Sequence, residues 1–198
     1  LFPDGSLSIP ENSNGVPDIL DEARWELEFF LGMQVPEGMS DSGMVHHKLH
    51  EKKWLPLPYK APDRTDDRFA MRPSTAATLN FAAATAQAAR VFASYDKAFA
   101  ERCLAASERA FAAAVAHPNV LFYYVPDDGG GDYDDMKVDD EFFWAACELY
   151  LATGKAEYRD RVEKSVASRE YYATFSDANG PMYWGGTAGL GMLSLLSK

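Results

Sequence analysis

The sequence contains few cysteines for its length. Only two occur in 198 residues, Cys103 and Cys147, and both stand in alanine-rich stretches that we predict to be helical. Buried free thiols fit such a setting better than a disulfide does. Because a disulfide is the feature that marks an oxidising compartment, the cysteines leave the redox compartment undetermined.

Basic residues are also scarce, with 19 Lys and Arg against 30 Asp and Glu and a formal net charge of −11. Nucleic acids and anionic membranes both attract basic surfaces, so this charge argues against either as a partner and fits a neutral substrate. No apolar run reaches the roughly 20 residues of a membrane-spanning helix. No signal peptide is visible in the sequence.

Both ends of the sequence look cut. It begins at Leu1 rather than Met, and it ends within a predicted helix that includes Gly189 to Leu196. The length suffices for a sizeable core in one domain. We therefore expect a fragment or processed piece of a longer protein.

Hydrophobic periodicity and capping residues predict a helical chain with alternating short and long connections. Between residues 39 and 73 we expect a long ordered surface loop, in which Met44 to Leu49 could form a short strand. Paired helices with a functional rim indicate a helical toroid or a solenoid. The predicted helices run from Pro17 to about Met33, from Thr75 to about Ser94 after an N-cap at Ser74, from Lys97 to about His117 after Asp96, from Asp139 to Thr153, from Lys155 to about Thr174, and from Thr187 onward.

The most informative stretch begins with three consecutive acids, Asp139, Asp140 and Glu141, at the start of a predicted helix. Acids in a first turn favour the positive end of the helix dipole. Just before them, residues 127–135 form a glycine-rich, acidic loop. Flexible backbone and many oxygens near a helix start are typical of a site for a hard cation or for sugar hydroxyls.

Five segments, taken in order, resemble glycoside hydrolase family nine, the inverting cellulases. The resemblance covers almost the whole chain and points to the bacterial branch of that family. The segments are Val16–Gln34, Gly43–Lys48, Ser74–Thr78, Asp139–Ala146 and Tyr183–Gly191.

The resemblance implies an all-α fold, part of an (α/α)6 barrel that cleaves β-1,4-glucan. In such inverting enzymes one acid protonates the leaving oxygen while a carboxylate base activates water. The family's base lies in an Asp-Ala-Gly-Asp motif upstream of the first helix, and no such motif precedes Val16. Its acid is a Glu far downstream of the segments found here. Residues 1–198 are thus expected to be a partial catalytic domain with no catalytic residue, inactive alone, from a secreted protein.

The resemblance also suggests substrate contacts. His47 matches a family histidine that hydrogen-bonds sugar, although a loop histidine with a local backbone partner is the simpler alternative. Tyr133 stands where family members have an active-site tyrosine, and it could equally cover the core. The predicted loop residues Trp54 and Trp184 offer flat rings on which a glucose face could stack. Trp25 and Trp144 fall within predicted helices and are expected in the core.

Asp140 and Glu141 match a pair that binds calcium in many family members, as a structural rather than a catalytic ion. Helix capping and charge–dipole stabilisation are the alternative explanation. Lys137 stands close to this pair and weakens the assignment. The three histidines His46, His47 and His50 could instead hold zinc, but a fourth ligand is not evident. The chemistry itself requires no cofactor.

Two other classes of function remain open at this stage. The chain could be a carbohydrate-binding or structural helical domain that descends from such an enzyme. It could also be a helical scaffold, because an incomplete toroid exposes apolar flanks that favour self-association.

Overall fold

The computed structural model describes residues 2–52, 67–123, 130–165, 182–183 and 185–198. Within these ranges the chain forms six α-helices and four short strands. None of the helices in these ranges is long and apolar enough to span a membrane. The elements are α1 (Asp18–Gly32), β1 (Val45–His46), β2 (Leu49–Glu51), β3 (Arg68–Ala70), β4 (Pro73–Ser74), α2 (Thr75–Phe92), α3 (Lys97–Ala116), α4 (Asp139–Thr153), α5 (Ala156–Lys164) and α6 (Ala188–Leu196).

The helix starts follow the capping residues that the sequence indicated. The Ser74 hydroxyl accepts a hydrogen bond from the Ala77 N–H at 3.2 Å. The Asp96 carboxylate accepts one from the Phe99 N–H at 3.0 Å. These bonds satisfy amide groups that the first turn leaves without a helical partner, so the predicted starts of α2 and α3 are confirmed. The predicted continuation of α5 to Thr174 lies outside the described residues.

Alanine lets three helices approach closely in the centre of the core. Helix α2 contacts both α3 and α4. Small side chains at the contacts let the helix axes approach closely. Because α2 is covered by helices on more than one side, it carries apolar residues on most of its circumference. The fully buried apolar residues of this cluster are Leu79, Ala82, Ala83, Ala86, Ala110, Ala114, Ala145, Ala146 and Leu149.

Helix α1 covers the far ends of α2 and α3. Its Leu27 packs in a second cluster with Phe92 and Phe99, whose rings meet edge to face at 4.9 Å between centroids. The opposite face of α1 remains uncovered among the described residues. Trp25 on that face is 79% exposed, so the prediction that it belongs to the core is wrong. Trp144 on α4 is half-buried.

Helix α6 packs tightly against α4. A Cβ atom at Gly191 would lie 3.0 Å from the Phe143 ring and 3.1 Å from the Trp144 Cα. Because both contacts are shorter than ordinary carbon packing distances, only glycine allows this approach. The packing of α6 on α4 places residues 185–187, which precede α6, beside the first turn of α4.

The short strands build one rim of the molecule. Strand β1 pairs antiparallel with β4, with Val45 opposite Ser74, and β2 pairs antiparallel with β3. The single strand predicted for Met44 to Leu49 is in fact two strands that are separated at His47 and Lys48. Backbone hydrogen bonds to the segment before α2 continue across this break, since the His47 N–H donates to the Arg72 carbonyl at 3.2 Å. At this break the side chains of His47 and Lys48 contact the backbone of residues 131–132 in another loop.

Candidate functional site

A cavity of about 510 Å³ opens between α1, α2, α4 and α6. Its wall is mostly apolar, and a few polar side chains from the rim contribute to it. Concave apolar surfaces with a small number of polar groups are typical of ligand sites. The lining includes Phe30, Val45, His47, Lys48, Asn80, Phe81, Trp144, Tyr183 and Leu190.

His47 is held by three protein contacts. Its Nδ1 lies 2.8 Å from the Ser74 hydroxyl, and its Nε2 lies 2.8 Å from the Asp132 carbonyl oxygen. Its ring stacks on Phe122, with 3.9 Å between centroids and an interplanar angle of 5°. A carbonyl oxygen can only accept, so Nε2 carries the hydrogen and the neutral ring accepts the Ser74 proton at Nδ1.

Electrostatics favour this neutral form. Burial lowers the pKa of His47; the Asp132 carbonyl opposes that effect, and the nearby Lys48 and Arg72 cations reinforce it. Both cations also lie over the Phe122 ring, at 5.7 Å and 5.2 Å from its centroid. His47 thus lines the cavity as a neutral ring whose two nitrogens are both bound to protein. A sugar hydroxyl would have to replace one of these partners, so the sugar contact stays a prediction.

The segment of residues 130–135, here called the acidic loop, presents Tyr133 to solvent. Lys48 donates from Nζ to the Gly131 carbonyl at 2.8 Å, next to the carbonyl that His47 binds. Tyr133 has a φ of +53°, a left-handed conformation that is rare for a bulky side chain. Its ring lies 3.1 Å from the position of a Cβ at Gly131, and the residue is 52% exposed. This exposure suits a contact with a ligand better than a role in the core.

A cluster of three carboxylates lies at the start of α4. Glu141 is fully buried, and its two oxygens accept no hydrogen bond from any donor among the described residues. Burial raises its pKa to about 11, and the charges of Asp140 and Asp135 act in the same direction. Like charges this close cannot all be ionised at low cost, so the cluster needs a proton or a cation.

The acidic side chains beside Glu141 form few hydrogen bonds. Asp140 accepts the Thr187 N–H at 2.6 Å, which joins α4 to the start of α6. Asp135 accepts the Lys137 N–H at 2.9 Å through one oxygen, while its other oxygen is buried without a hydrogen-bond partner. Burial raises the pKa of Asp135 as well. The Lys137 side chain is exposed.

The chemistry of this cluster fits a hard cation, since buried carboxylate oxygens that lack donors are the ligands that calcium prefers. Across the part of the chain that the structure describes, however, no three His, Cys, Asp or Glu side chains are grouped in a way that could hold a metal ion. His46, His47 and His50, which all lie within the described residues, therefore form no such group, and His46 already contacts the Met71 carbonyl through Nδ1 at 2.7 Å. A calcium ion here would therefore need backbone or water oxygens in addition to the carboxylates.

Two predicted sugar platforms, Trp54 and Trp184, lie outside the described residues. Next to Trp184, Tyr183 lines the cavity, and its N–H donates to the Gly186 carbonyl at 3.0 Å.

Sequence reasoning missed several residues of this region. It recognised the acidic loop but not that Asp135 lies beside Glu141. It assigned Ser74 only a capping role, although the same hydroxyl binds His47. It had no signal for Phe122, which meets His47 only through the tertiary structure, where Phe122 also forms a β-bridge with Asp135.

These features describe a helical protein with a cavity beside a rim of short strands and loops, and comparison with known sequences supplies the family. The model of glycosyl hydrolase family 9 matches residues 5–198. The chain belongs to this family.

Two relatives show how the chain compares with longer proteins. It is 46% identical to a cellulose 1,4-beta-cellobiosidase of Acetivibrio thermocellus, over 98% of this chain and 23% of the relative. It is 47% identical to endoglucanase C of Cellulomonas fimi, over 97% of this chain and 17% of the relative. The chain thus spans about a quarter or less of the length of these two relatives.

Solved structures of the family share the fold. A family 9 glycoside hydrolase of Bacteroides ovatus superposes with a TM-score of 0.80 at 37% identity, over 95% of this chain and 34% of that one. A metagenome-derived family 9 endoglucanase gives a TM-score of 0.79 at 41% identity, over 96% of this chain and 33% of that one. The predicted fold class is therefore confirmed: the chain is all-α and forms part of an (α/α)6 barrel.

Proposed function

We propose that this chain supplies substrate-cleft residues to an enzyme that hydrolyses β-1,4-glucosidic bonds with inversion. The observation that carries the proposal is the family match over residues 5–198. The names of the relatives support it, since one is a cellulose 1,4-beta-cellobiosidase and the other is an endoglucanase. We assign His47 and Tyr133 to the cleft, together with Trp54 and Trp184. Because such glucans are polymers outside the cell, we further propose that the intact protein is secreted.

We also propose that these 198 residues alone do not catalyse hydrolysis. Inversion needs an acid and a base that both reach the substrate. The Asp-Ala-Gly-Asp motif that the family resemblance implies for the base is absent from the sequence. Glu141 has the raised pKa of a general acid, but its full burial argues against contact with a glycosidic oxygen. In the intact protein the catalytic carboxylates would come from elsewhere.

Cellopentaose binding, measured by isothermal titration calorimetry, tests the proposal on the chain itself. We expect binding without release of reducing ends from soluble cellulose. Tyr133→Ala should weaken binding by about 3-fold to 10-fold, the effect of losing one aromatic contact. Tyr95→Ala is the matched control, because Tyr95 is 47% exposed and lies between α2 and α3.

Two results would contradict the proposal. One is measurable hydrolysis by the chain alone, which would require a catalytic pair within it. The other is an absence of cellopentaose binding, which would favour a purely structural helical domain.

We propose that calcium binds at Asp140 and Glu141, with backbone or water oxygens as the remaining ligands. The support is the buried carboxylate of Glu141, which has no hydrogen-bond donor among the described residues. A bound ion would supply positive charge that compensates the cluster. Its role would be to stabilise the start of α4 and its link to Thr187, and the reaction would not depend on it.

We infer that the chain self-associates through exposed apolar side chains on α1 and α6. On α1, Trp25 and Phe29 are 79% and 43% exposed and lie one turn apart. On α6, Leu193 and Leu196 are 48% and 78% exposed. Exposed apolar residues in contiguous patches usually mark association surfaces.

Light scattering coupled to gel filtration checks this inference. We expect the average mass of the wild type to rise with concentration, and the double variant Trp25→Ser/Phe29→Ser to remain monomeric. Val115→Ser on α3, where the side chain is 40% exposed, is the control and should behave as the wild type does. A wild type that is monomeric at all concentrations would rule out the inference.

A further inference from the structure

We propose that Ser74 is a positioning residue that sets the tautomer of His47 and thereby holds the acidic loop with Tyr133 in place. The relevance of this arrangement for glucan binding rests on the proposed function. The arrangement itself rests on contacts within the chain.

The Ser74 hydroxyl group both accepts and donates a hydrogen bond. Ser74 is fully buried, and its oxygen already accepts the Ala77 N–H as the cap of α2. Its one hydroxyl hydrogen is therefore available to donate to His47 Nδ1 at 2.8 Å. The opposite tautomer would set the lone pair of Nε2 against the Asp132 carbonyl oxygen at 2.8 Å, where two acceptors repel each other.

A charged imidazole is the remaining alternative, since it would donate from both nitrogens. The groups around His47 oppose it. Lys48 and Arg72 both lie close to the ring that stacks on His47, and burial lowers the pKa of the imidazole. The neutral ring with hydrogen on Nε2 is thus the form that satisfies every contact.

Two neighbouring donors bind the acidic loop. His47 and Lys48 are consecutive, and they donate to the consecutive carbonyl oxygens of Asp132 and Gly131, both at 2.8 Å. Tyr133 follows directly in a left-handed conformation. A bulky residue keeps such a conformation only where its surroundings impose it. The two donated hydrogen bonds fix the two residues before Tyr133 and so provide that restraint.

Phe122 packs against the ring plane of His47. Phe122 stacks on it almost parallel. Phe122 also forms a β-bridge with Asp135, which ends the acidic loop. The loop is therefore held near its start by His47 and Lys48 and at its end by Phe122, which also stacks on His47. A change in the tautomer of His47 would remove the donor to Asp132 without removing Phe122.

Imidazole nitrogen NMR on the ¹⁵N-labelled chain tests the proposal, with the His47 signals assigned by loss in His47→Gln. In the wild type we expect His47 to carry hydrogen on Nε2. Ser74→Thr retains both the cap and the hydroxyl donor, so it should retain this tautomer. Ser74→Asp retains a capping acceptor but offers His47 an acceptor in place of a donor. At a pH where His47 is neutral, Ser74→Asp should move the ring hydrogen from Nε2 to Nδ1, which removes the donor to the Asp132 carbonyl.

The loop and the ligand supply two further readouts. In Ser74→Asp we expect the amide signals of Gly131, Asp132 and Tyr133 to shift, while those of Ala77 and the rest of α2 stay near their positions in Ser74→Thr. Cellopentaose should bind about 3-fold to 10-fold more weakly, as expected when one aromatic contact is lost.

Each outcome decides a separate point. Hydrogen on Nδ1 in the wild type would overturn the proposal, and so would unchanged loop signals in Ser74→Asp once the tautomer has switched. A switched tautomer and a shifted loop with unchanged cellopentaose affinity would support the positioning role. That last result would count against the proposed contact between Tyr133 and glucan.

Discussion

Replacing Arg90 with methionine is expected to lower the free energy of unfolding by about 3–5 kcal/mol. Arg90 on α2 contacts Glu148 on α4 with 2.5 Å between Nη2 and Oε2. Glu148 is fully buried, and its other oxygen accepts a hydrogen bond from Ser194 on α6. Methionine would leave the carboxylate buried with only the serine as a partner. Urea unfolding followed by circular dichroism measures the loss.

The two partners of this ion pair differ in burial. The Arg90 side chain is 30% exposed and can turn toward water, whereas Glu148 cannot. Glu148→Gln should therefore cost less than Arg90→Met, about 1–2 kcal/mol. The double variant Arg90→Met/Glu148→Leu should recover much of the loss, since apolar replacement of a buried ion pair is often close to neutral.

Arg159→Met is the matched control for this series. Arg159 on α5 is 52% exposed and pairs with Glu163 on the surface. Its removal should change the stability by about 0.5 kcal/mol or less. Equal effects of Arg90→Met and Arg159→Met would show that the pair between α2 and α4 does not hold the helices together.

Replacing Glu141 with glutamine is expected to stabilise the chain when calcium is removed by a chelator. Glutamine keeps the shape of the side chain and removes the need to bind a proton when Glu141 is buried beside Asp140 and Asp135. Avoiding this cost should raise the free energy of unfolding by about 1–3 kcal/mol at neutral pH. For a chain of this size that corresponds to an increase of roughly 2–4 °C in Tm per kcal/mol.

The effect of this variant should depend on pH with a definite sign. Glu141 has a pKa of about 11 in the folded chain against an ordinary value of 4.5. A raised folded pKa means that the contribution of Glu141 to stability is complete below about pH 4.5 and is lost as the pH rises toward 11. The advantage of Glu141→Gln over the wild type should therefore grow between about pH 5 and pH 8.

Calcium should make the wild type more stable than Glu141→Gln. At a concentration of 100 times its Kd, a bound ion stabilises the folded state by about 2.7 kcal/mol. The wild type should gain this amount, and Glu141→Gln should gain little because it lacks one carboxylate ligand. Differential scanning calorimetry with calcium and with chelator gives both numbers. Glu163→Gln, at an exposed position on α5, is the control and should respond to calcium as the wild type does.

Two outcomes separate the explanations for the cluster. A calcium response that is equal in the wild type and in Glu141→Gln would contradict a site at Glu141. If the wild type in chelator is more stable than Glu141→Gln at every pH, the Glu141 carboxylate has a compensating partner.

The helices were predictable because their signals are local. Ser74 and Asp96 cap the turns that follow them, and α4 begins at Asp139 and ends at Thr153 as predicted. The order of the five family segments then identified the barrel. Predictions that depend on distant contacts were less complete, as Trp25 shows. It was expected in the core because it falls within a predicted helix, yet the face that carries it has no cover among the described residues.

The sequence by itself determined the helix ends, the alanine-rich contact of α2 with its neighbours and the family, because capping and periodicity act within a few residues. Only the tertiary structure decided that Ser74 and Phe122 meet His47, that Asp135 lies beside Glu141 and that Arg90 reaches Glu148. Most of these pairs are separated by tens of residues in the chain, and their electrostatics depend on burial. Burial arises only when the helices pack, so no local pattern records it.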